Sequence, residues 1–333
     1  MKNLITDIAG VKVGHADDPA LASGVTAIIF DEPAVASIDI RGGGPASRDV
    51  TLLEPGNTVE TINGVTLSGG SAFGLEAAAG AMAWLAEQGR GFVIGPAIVP
   101  IVPGASVFDL INGGNKDWGR FAPYRDLGYA AAAAASSDFA LGSVGAGLGA
   151  TTVNLKGGLG SASAVTASGI RVGAIVVVNA VGSAVVGDGP WFWAAPFETN
   201  REFGGKHHPD AYTADMLAVR MKGAASARAG ENTTIAMVVT DARLTKADVK
   251  RLAIIANTGF PMALRPVHAP LDGDLLFAAA TGVKPVDGLA ELTEIGTLAA
   301  STLSRAIARG VHEATALPFP GALPAWKDRF AKR

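Results

Sequence analysis

The sequence predicts an α/β fold, and two observations carry the prediction. Short β-branched runs, above all 171–178 (RVGAIVVV) and 235–240 (IAMVVT), read as strands buried on both faces. Stretches at 72–88, 211–227, between the cap at Thr245 and Gly259, and at about 291–309 are alanine-rich or apolar at helical spacing, so helices alternate with those strands.

Taken in order, residues 4–13 and 24–30 read as strands, 41–45 (RGGGP) as a loop and Asn63-Gly64 as a turn. Ser68-Gly69-Gly70-Ser71 opens the helix 72–88, with Ser71 as its cap. The G-x-S-x-G pattern of a nucleophile elbow is missed there, because Phe73 stands where the second glycine belongs. Gly145-Ala146-Gly147-Leu148-Gly149 lacks the spacing and following helix of a dinucleotide-binding loop. The strand 171–178 ends at Asn179, which is either a turn former or a donor aimed into a pocket. A long loop, 187–210, carries Trp191-Phe192-Trp193 and His207-His208. Adjacent histidines point apart in an extended chain, which argues against a metal site; the aromatics are either core or the wall of an apolar entrance. Thr245-Lys246-Ala247-Asp248 is a capping signal for a helix with Val249, Leu252, Ala253 and Ala256 on one face, closed by Gly259. The final helix, about 291–309, is apolar at Leu292, Ile295, Leu298, Ala299, Leu303, Ala306 and Ile307.

Composition narrows the function classes. With no cysteine, thiol catalysis, disulfides and cysteine metal sites are excluded. A net charge of −3, with basic residues scattered, gives no electrostatic case for nucleic acid. The first residues contain no uninterrupted apolar run, and the stretch 172–186 is too short and glycine-rich to span a bilayer; a cytoplasmic protein and no membrane partner are expected. The 333 residues suffice for one large domain or two ordinary ones, and 49% apolar against 17% charged residues predicts a homo-oligomer.

The stretch Gly230-Glu231-Asn232-Thr233-Thr234 holds the most distinctive chemistry. It places an asparagine carbonyl directly before a threonine that begins a buried strand. Cutting the Asn232–Thr233 bond would leave Thr233 as a chain terminus with hydroxyl and amine on adjacent carbons. An α-amino group titrates near ~8, so it can serve as base for its own hydroxyl. The residues alone also fit an ordinary strand start, or a glycosylation sequon that is moot without secretion. Downstream, Asp272-Gly273-Asp274 places two carboxylates at i and i+2, on one side of an extended chain. A solvated turn is the plain reading; the apolar strand that follows at once argues instead for a pair held at a sheet end.

With these pieces in place the chain resembles the self-processing amide hydrolases of the DmpA-type peptidase family (S58), and within it the branch of the nylon-oligomer hydrolases. The resemblance runs through nearly the whole length. It rests on Gly10-Val11-Lys12-Val13-Gly14-His15, on 67–75 (LSGGSAFGL), on Gly145-Ala146-Gly147 with Lys156, and on Val177-Val178-Asn179, besides the two motifs above. It implies a single αββα-sandwich domain over 1–333 whose chain is cut into residues 1–232 and 233–333, a tetramer, and no cofactor or metal. It implies Thr233 as nucleophile, Asn179 as oxyanion donor, Lys156 beside the nucleophile, and Asp272 and Asp274 orienting the new amine. The acidic pair points to the nylon-oligomer branch, with 6-aminohexanoate oligomers or small peptides as substrate and aminopeptidase action as the alternative. One position departs: Phe108 stands where the family tends to carry an active-site tyrosine, leaving Tyr124 or Tyr129 as substitutes. An acyltransferase of the ornithine-acetyltransferase type is less well matched, since its junction is Ala-Thr. A member that never matures and only binds is the third alternative.

Overall fold

The longest strand, β2 (Ser23–Ile40), belongs to two faces of the molecule at once, and the rest of the fold follows from it. In the computed structural model, which describes residues 1–222 and 232–331, it is preceded by β1 (Val11–Asp18) and followed by β3 (Ala46–Arg48) and β4 (Thr61–Ser68). Then come α1 (Ala77–Glu87), the hairpin β5 (Phe92–Ile94) and β6 (Ala97–Val99), β7 (Gly104–Ser106) and α2 (Tyr124–Ala133). The second half holds β8 (Gly158–Val165), β9 (Arg171–Asn179), β10 (Thr233–Ala242), α3 (Lys246–Asn257), β11 (Leu275–Lys284), α4 (Gly288–His312) and α5 (Trp326–Phe330). Among the described residues, nine strands form one mixed sheet in the order β3-β7-β4-β2-β11-β10-β9-β8, with β1 also on β2. The first part of β2 pairs with β4 and its last part with β11, with a register shift between Ile29 and Ala34.

Side-chain alternation sorts these elements into layers. Val25, Ala27 and Ile29 of β2 pack on Ala77, Ala81 and Leu85 of α1 and Ala131 of α2. From the opposite face, Ile28 and Phe30 meet Val65 and Leu67 of β4 and, across the core, Ile175, Ile235, Met237 and Phe277. The outer faces of those same strands, at Val176, Val238 and Leu276, pack on Leu252 and Ala256 of α3 and Leu303 and Ile307 of α4. The layers therefore run helix pair, sheet half, sheet half, helix pair. Glycine sets how closely α4 approaches: a Cβ on Gly160 of β8 would lie 1.9 Å from the Ala306 carbonyl.

Several expectations need correction. Residues 4–13 are not one strand: Ile5–Asp7 is a 3₁₀ turn, because the Asp7 carboxylate accepts the backbone N–H groups of Lys2, Asn3 and Leu4. Asn63-Gly64 is no turn but the interior of β4. Asn63 Oδ1 accepts the Ile101 N–H at 2.9 Å, and a Cβ on Gly64 would stand 2.6 Å from the Ile28 carbonyl. Ser71 is not a helix cap. Gly70 (φ 84) holds the cap position, Ser71 starts a 3₁₀ segment (Ser71–Glu76) at φ 52, and α1 proper begins at Ala77. No helix forms over 211–222, only isolated turns, and 223–227 lie outside the described residues. Leu217, Val219 and Met221 are exposed there, so no apolar face docks to support a helix. Strand 171–178, the capped helix α3 and the long α4 stand where the spacing puts them; Thr245 accepts the Asp248 N–H as its cap. Among the described residues, no helix is long and apolar enough to cross a membrane.

Candidate active site

Strand direction gathers the site. β10 runs parallel to β11 and antiparallel to β9, so both starts and the end of β9 meet at one edge of the sheet. Thr233, first residue of β10, pairs with Asn179, last residue of β9. One step earlier, Asn232 bridges Asp272, just ahead of β11. The glycine loop 41–44 closes this end from the far side. Arg41 and Gly42 N–H groups donate to the Asp274 carbonyl and Gly44 N–H to that of Asp272. A Cβ on Gly42 would fall 2.3 Å from the Asp274 nitrogen, which is why no side chain fits at that position.

At the centre, Thr233 Oγ1 donates to the carbonyl oxygen of Asn232 at 2.5 Å. The Gly273 N–H donates to the same oxygen at 3.0 Å. Both residues are buried, at 3% and 4% exposure, so this carbonyl sits in a largely water-free niche with two donors already aimed at it. Gly273 also has to be glycine: a Cβ there would come within 2.5 Å of Thr233 Oγ1. Of the expected junction, Gly230 and Glu231 lie outside the described residues.

The two aspartates differ in their surroundings. Asp274 Oδ1 accepts the Thr234 N–H at 2.7 Å, and its Oδ2 accepts both the backbone N–H and Nδ1 of His268, each at 3.0 Å. Asp272 Oδ1 receives the Gly273 N–H at 3.1 Å, while its Oδ2 is buried with no hydrogen-bond donor on it among the described residues. Burial first, and the charge of Asp274 second, push the Asp272 carboxyl up to about 8. One carboxylate is thus held by donors and its neighbour keeps a proton at neutral pH.

Asn179 is fully buried, and its side chain is bound at both ends. Nδ2 donates to the Phe108 carbonyl at 3.0 Å; Oδ1 accepts the Thr151 N–H at 3.0 Å and Lys222 Nζ at 3.2 Å. Phe108 therefore meets the site through its backbone, next to the buried Asp109, whose carboxylate takes Ser23 Oγ at 2.6 Å and the Gly70 N–H at 2.8 Å. Neither substitute tyrosine reaches Asn179 or Thr233 by hydrogen bond: the Tyr124 hydroxyl donates to Ser23 Oγ and that of Tyr129 to Glu87. Lys156 is completely buried, with Nζ donating to the carbonyls of Gly147, Ala150 and Gly157 at 3.0, 2.7 and 2.8 Å. Burial lowers its ammonium to about 7, opposed by the charge of Asp109 and aided by that of Lys222. It braces the 147–157 turn behind Asn179 and makes no hydrogen bond to Thr233. A cavity of about 460 Å³ opens alongside, lined by Asn112, Thr151, Lys156, Lys222, Phe319 and Leu323. Its apolar wall is not the aromatic run of 191–193. Phe192 is core, stacked on Trp326 at 5.5 Å, and Trp193 lies over Tyr212. His208 is bound to the Phe192 and Trp193 carbonyls and to the Tyr212 hydroxyl.

Sequence reasoning missed Lys222, His268 and the Gly273 N–H. Only His268 had a visible signal, the stiff segment Arg265-Pro266-Val267-His268-Ala269-Pro270 leading into the acidic pair.

Residues 3–321 match peptidase family S58. A protein of Mycobacterium bovis described as an uncharacterized aminopeptidase is 41% identical over 347 aligned positions, covering 98% of each chain. A 6-aminohexanoate-oligomer endohydrolase of Kocuria sp. is 27% identical over 286 positions, covering 83% of this chain and 74% of its own. Among solved structures, the L-aminopeptidase D-Ala-esterase/amidase of Ochrobactrum anthropi, described as a variant of the Ntn hydrolase fold, superposes with a TM-score of 0.68. It is 21% identical, over 98% of this chain and 92% of its own, a likeness that speaks for the fold. A sheet end that gathers a threonine hydroxyl, an amide carbonyl and an acidic pair is consistent with that kinship, and the chain belongs to peptidase family S58, as a hydrolase acting on amide bonds.

Proposed function

We propose that the chain is a self-processing hydrolase whose nucleophile is Thr233. The observation that carries this is the 2.5 Å hydrogen bond from Thr233 Oγ1 to the Asn232 carbonyl, whose oxygen also faces the Gly273 N–H. In the first step Oγ1 attacks the Asn232 carbonyl carbon and loses its proton. The carbonyl oxygen becomes the oxyanion, which the Gly273 N–H stabilises. The C–N bond to Thr233 breaks as its nitrogen gains a proton, leaving an ester that water opens to an Asn232 carboxylate and a free Thr233 amine. In turnover the same oxygen attacks a substrate amide with that amine as base, releases the amine product, and water hydrolyses the acyl-Thr233. The Asn232 carbonyl site, vacated by cleavage, becomes the place for the substrate carbonyl, with Asn179 at its side. Asp272 and Asp274 hold the amine, and Lys156 keeps the Asn179 loop in place.

Two substrate classes fit. Small peptides cut from the amino end are favoured by the aminopeptidase relatives at 41% identity. Oligomers of 6-aminohexanoate are favoured by the Asp272-Gly273-Asp274 motif and an apolar wall at Phe319 and Leu323, since each buried CH₂ contributes ~0.8 kcal/mol. Intact mass spectrometry of purified protein tests maturation. The expected products begin at Met1 and Thr233, Thr233→Ala stays whole and inactive, and a small chain starting elsewhere refutes the reading. Aminoacyl p-nitroanilides beside a 6-aminohexanoate trimer then separate the substrate classes.

A homotetramer in the cytoplasm completes the proposal. It is supported by the apolar hairpin β5–β6, which exposes Phe92, Val93 and Ile94 at 52%, 65% and 61%. Light scattering that reports a monomer overturns it.

A further inference from the structure

His268 stands outside the mechanism just given, yet it is tied to Asp274 twice. Its backbone N–H and its ring Nδ1 converge on one oxygen, Oδ2, each at 3.0 Å. Because a carboxylate only accepts, Nδ1 carries the hydrogen in this contact. The ring is fixed from behind by an edge contact with Phe260, 5.4 Å between centroids. Its backbone sits at φ 57, in the left-handed region that an ordinary side chain avoids. The conformation costs free energy, and what it achieves locally is to turn both donors onto one carboxylate oxygen. Asp274 is fully buried and, among the described residues, no lysine or arginine hydrogen-bonds to it; His268 and the Thr234 N–H donate to it. His268 also lines a surface depression together with Arg41, Asn257 and Thr258, with Arg41 itself paired to Asp39.

We propose that His268 is a positioning residue: it clamps Oδ2 of Asp274 so that Oδ1 stays on the backbone at the start of β10, where cleavage exposes the Thr233 amine. The inference rests on the proposed role of Thr233. A carboxylate held at one oxygen only would rotate about its last bond and lose its aim at that backbone. The amine would then be presented to its hydroxyl less often, which slows the chemical step without altering how substrate is bound.

The test measures kcat and KM of three variants in purified, matured enzyme. His268→Ala should lower kcat about tenfold to a hundredfold with KM changed less than about twofold, as expected for loss of a hydrogen bond to a charged group. His268→Asn should restore most of the rate, because its Nδ2 takes the place of Nδ1 and asparagine tolerates φ above zero. His268→Gln, whose amide reaches one bond further, should behave like His268→Ala and serves in its place if that variant does not fold. Wild-type kcat in His268→Ala or His268→Gln overturns the inference, and so does equal damage in all three variants or a loss confined to KM. Thr233→Ala is run alongside: hydrolysis that persists in it refutes the role of Thr233 itself, whereas an inactive Thr233→Ala beside a wild-type-like His268→Ala refutes only the clamp.

Discussion

Two carboxylates two residues apart in sequence have opposite fates here, and the difference is measurable. Asp274 is surrounded by donors, whereas Asp272 is buried, with no donor on one oxygen among the described residues and its carboxyl pushed up to about 8. An unfolded aspartate titrates near ~3.9. Between these values the folded chain holds a proton that the unfolded chain has released, so Asp272 makes stability fall as pH rises from about 4 to about 8. The slope is on the order of 1.4 kcal/mol per pH unit within that window. Asp272→Asn should remove it, and thermal melts of wild type and variant at several pH values should converge towards pH 4 and separate above. Parallel curves would show that Asp272 is not protonated in the fold. A second substitution bears on the hydroxyl: Gly273→Ala places a Cβ 2.5 Å from where Thr233 Oγ1 now lies. The hydroxyl must leave the Asn232 carbonyl, so a largely uncut chain is expected on a denaturing gel, and maturation at the wild-type rate would count against the geometry. Thr233, Asn179 and the acidic pair were legible in the sequence because strand ends can be read from where β-branched runs start and stop. Lys222 was not, and His268 was signalled only by the proline-bounded run before the acidic pair, since aperiodic segments reach the site through tertiary folding; a backbone N–H such as that of Gly273 leaves no trace in residue identity.

At the scale of elements, the site depends on a turn as much as on strands. Residues 147–157 wrap around the Lys156 ammonium, whose donors go to three backbone carbonyls, and Thr151 in the same turn donates to Asn179. Lys156→Met keeps the volume and removes the donors, leaving buried carbonyls unpaired at a cost on the order of 3 kcal/mol. A lower melting temperature together with slower catalysis is expected; a variant as stable as wild type would show that the carbonyls find other partners. The sequence announced α3 and α4 clearly, through a capping box and a long apolar stripe that the structure buries. It misread Asn63-Gly64, where a turn dipeptide serves strand pairing because Ile28 of β2 needs the space a side chain would fill. It also misread 211–222, where helical propensity had no core to dock on and so formed no helix.

For the whole molecule, the consequence of the proposed cut at Asn232–Thr233 is set by topology. The segment after the junction provides β10, β11, α3, α4 and α5, and none of these forms a separate unit. β10 lies between β9, from the first segment, and β11; β11 in turn pairs with β2. α4 covers β8 and β9 with Leu303, Ala306 and Ile307, which share a core with Val176 and Val178. Separating the two pieces would expose both faces of the central strands and open two ladders of backbone hydrogen bonds, a change on the scale of unfolding itself. The cut chains should therefore co-elute in native size-exclusion chromatography and part only in denaturant. Uncut Thr233→Ala should share their elution volume, since the break lies at the end of a strand whose pairing is intact. Free small chain in native buffer would mean that β10 is held far more weakly than its position between β9 and β11 requires.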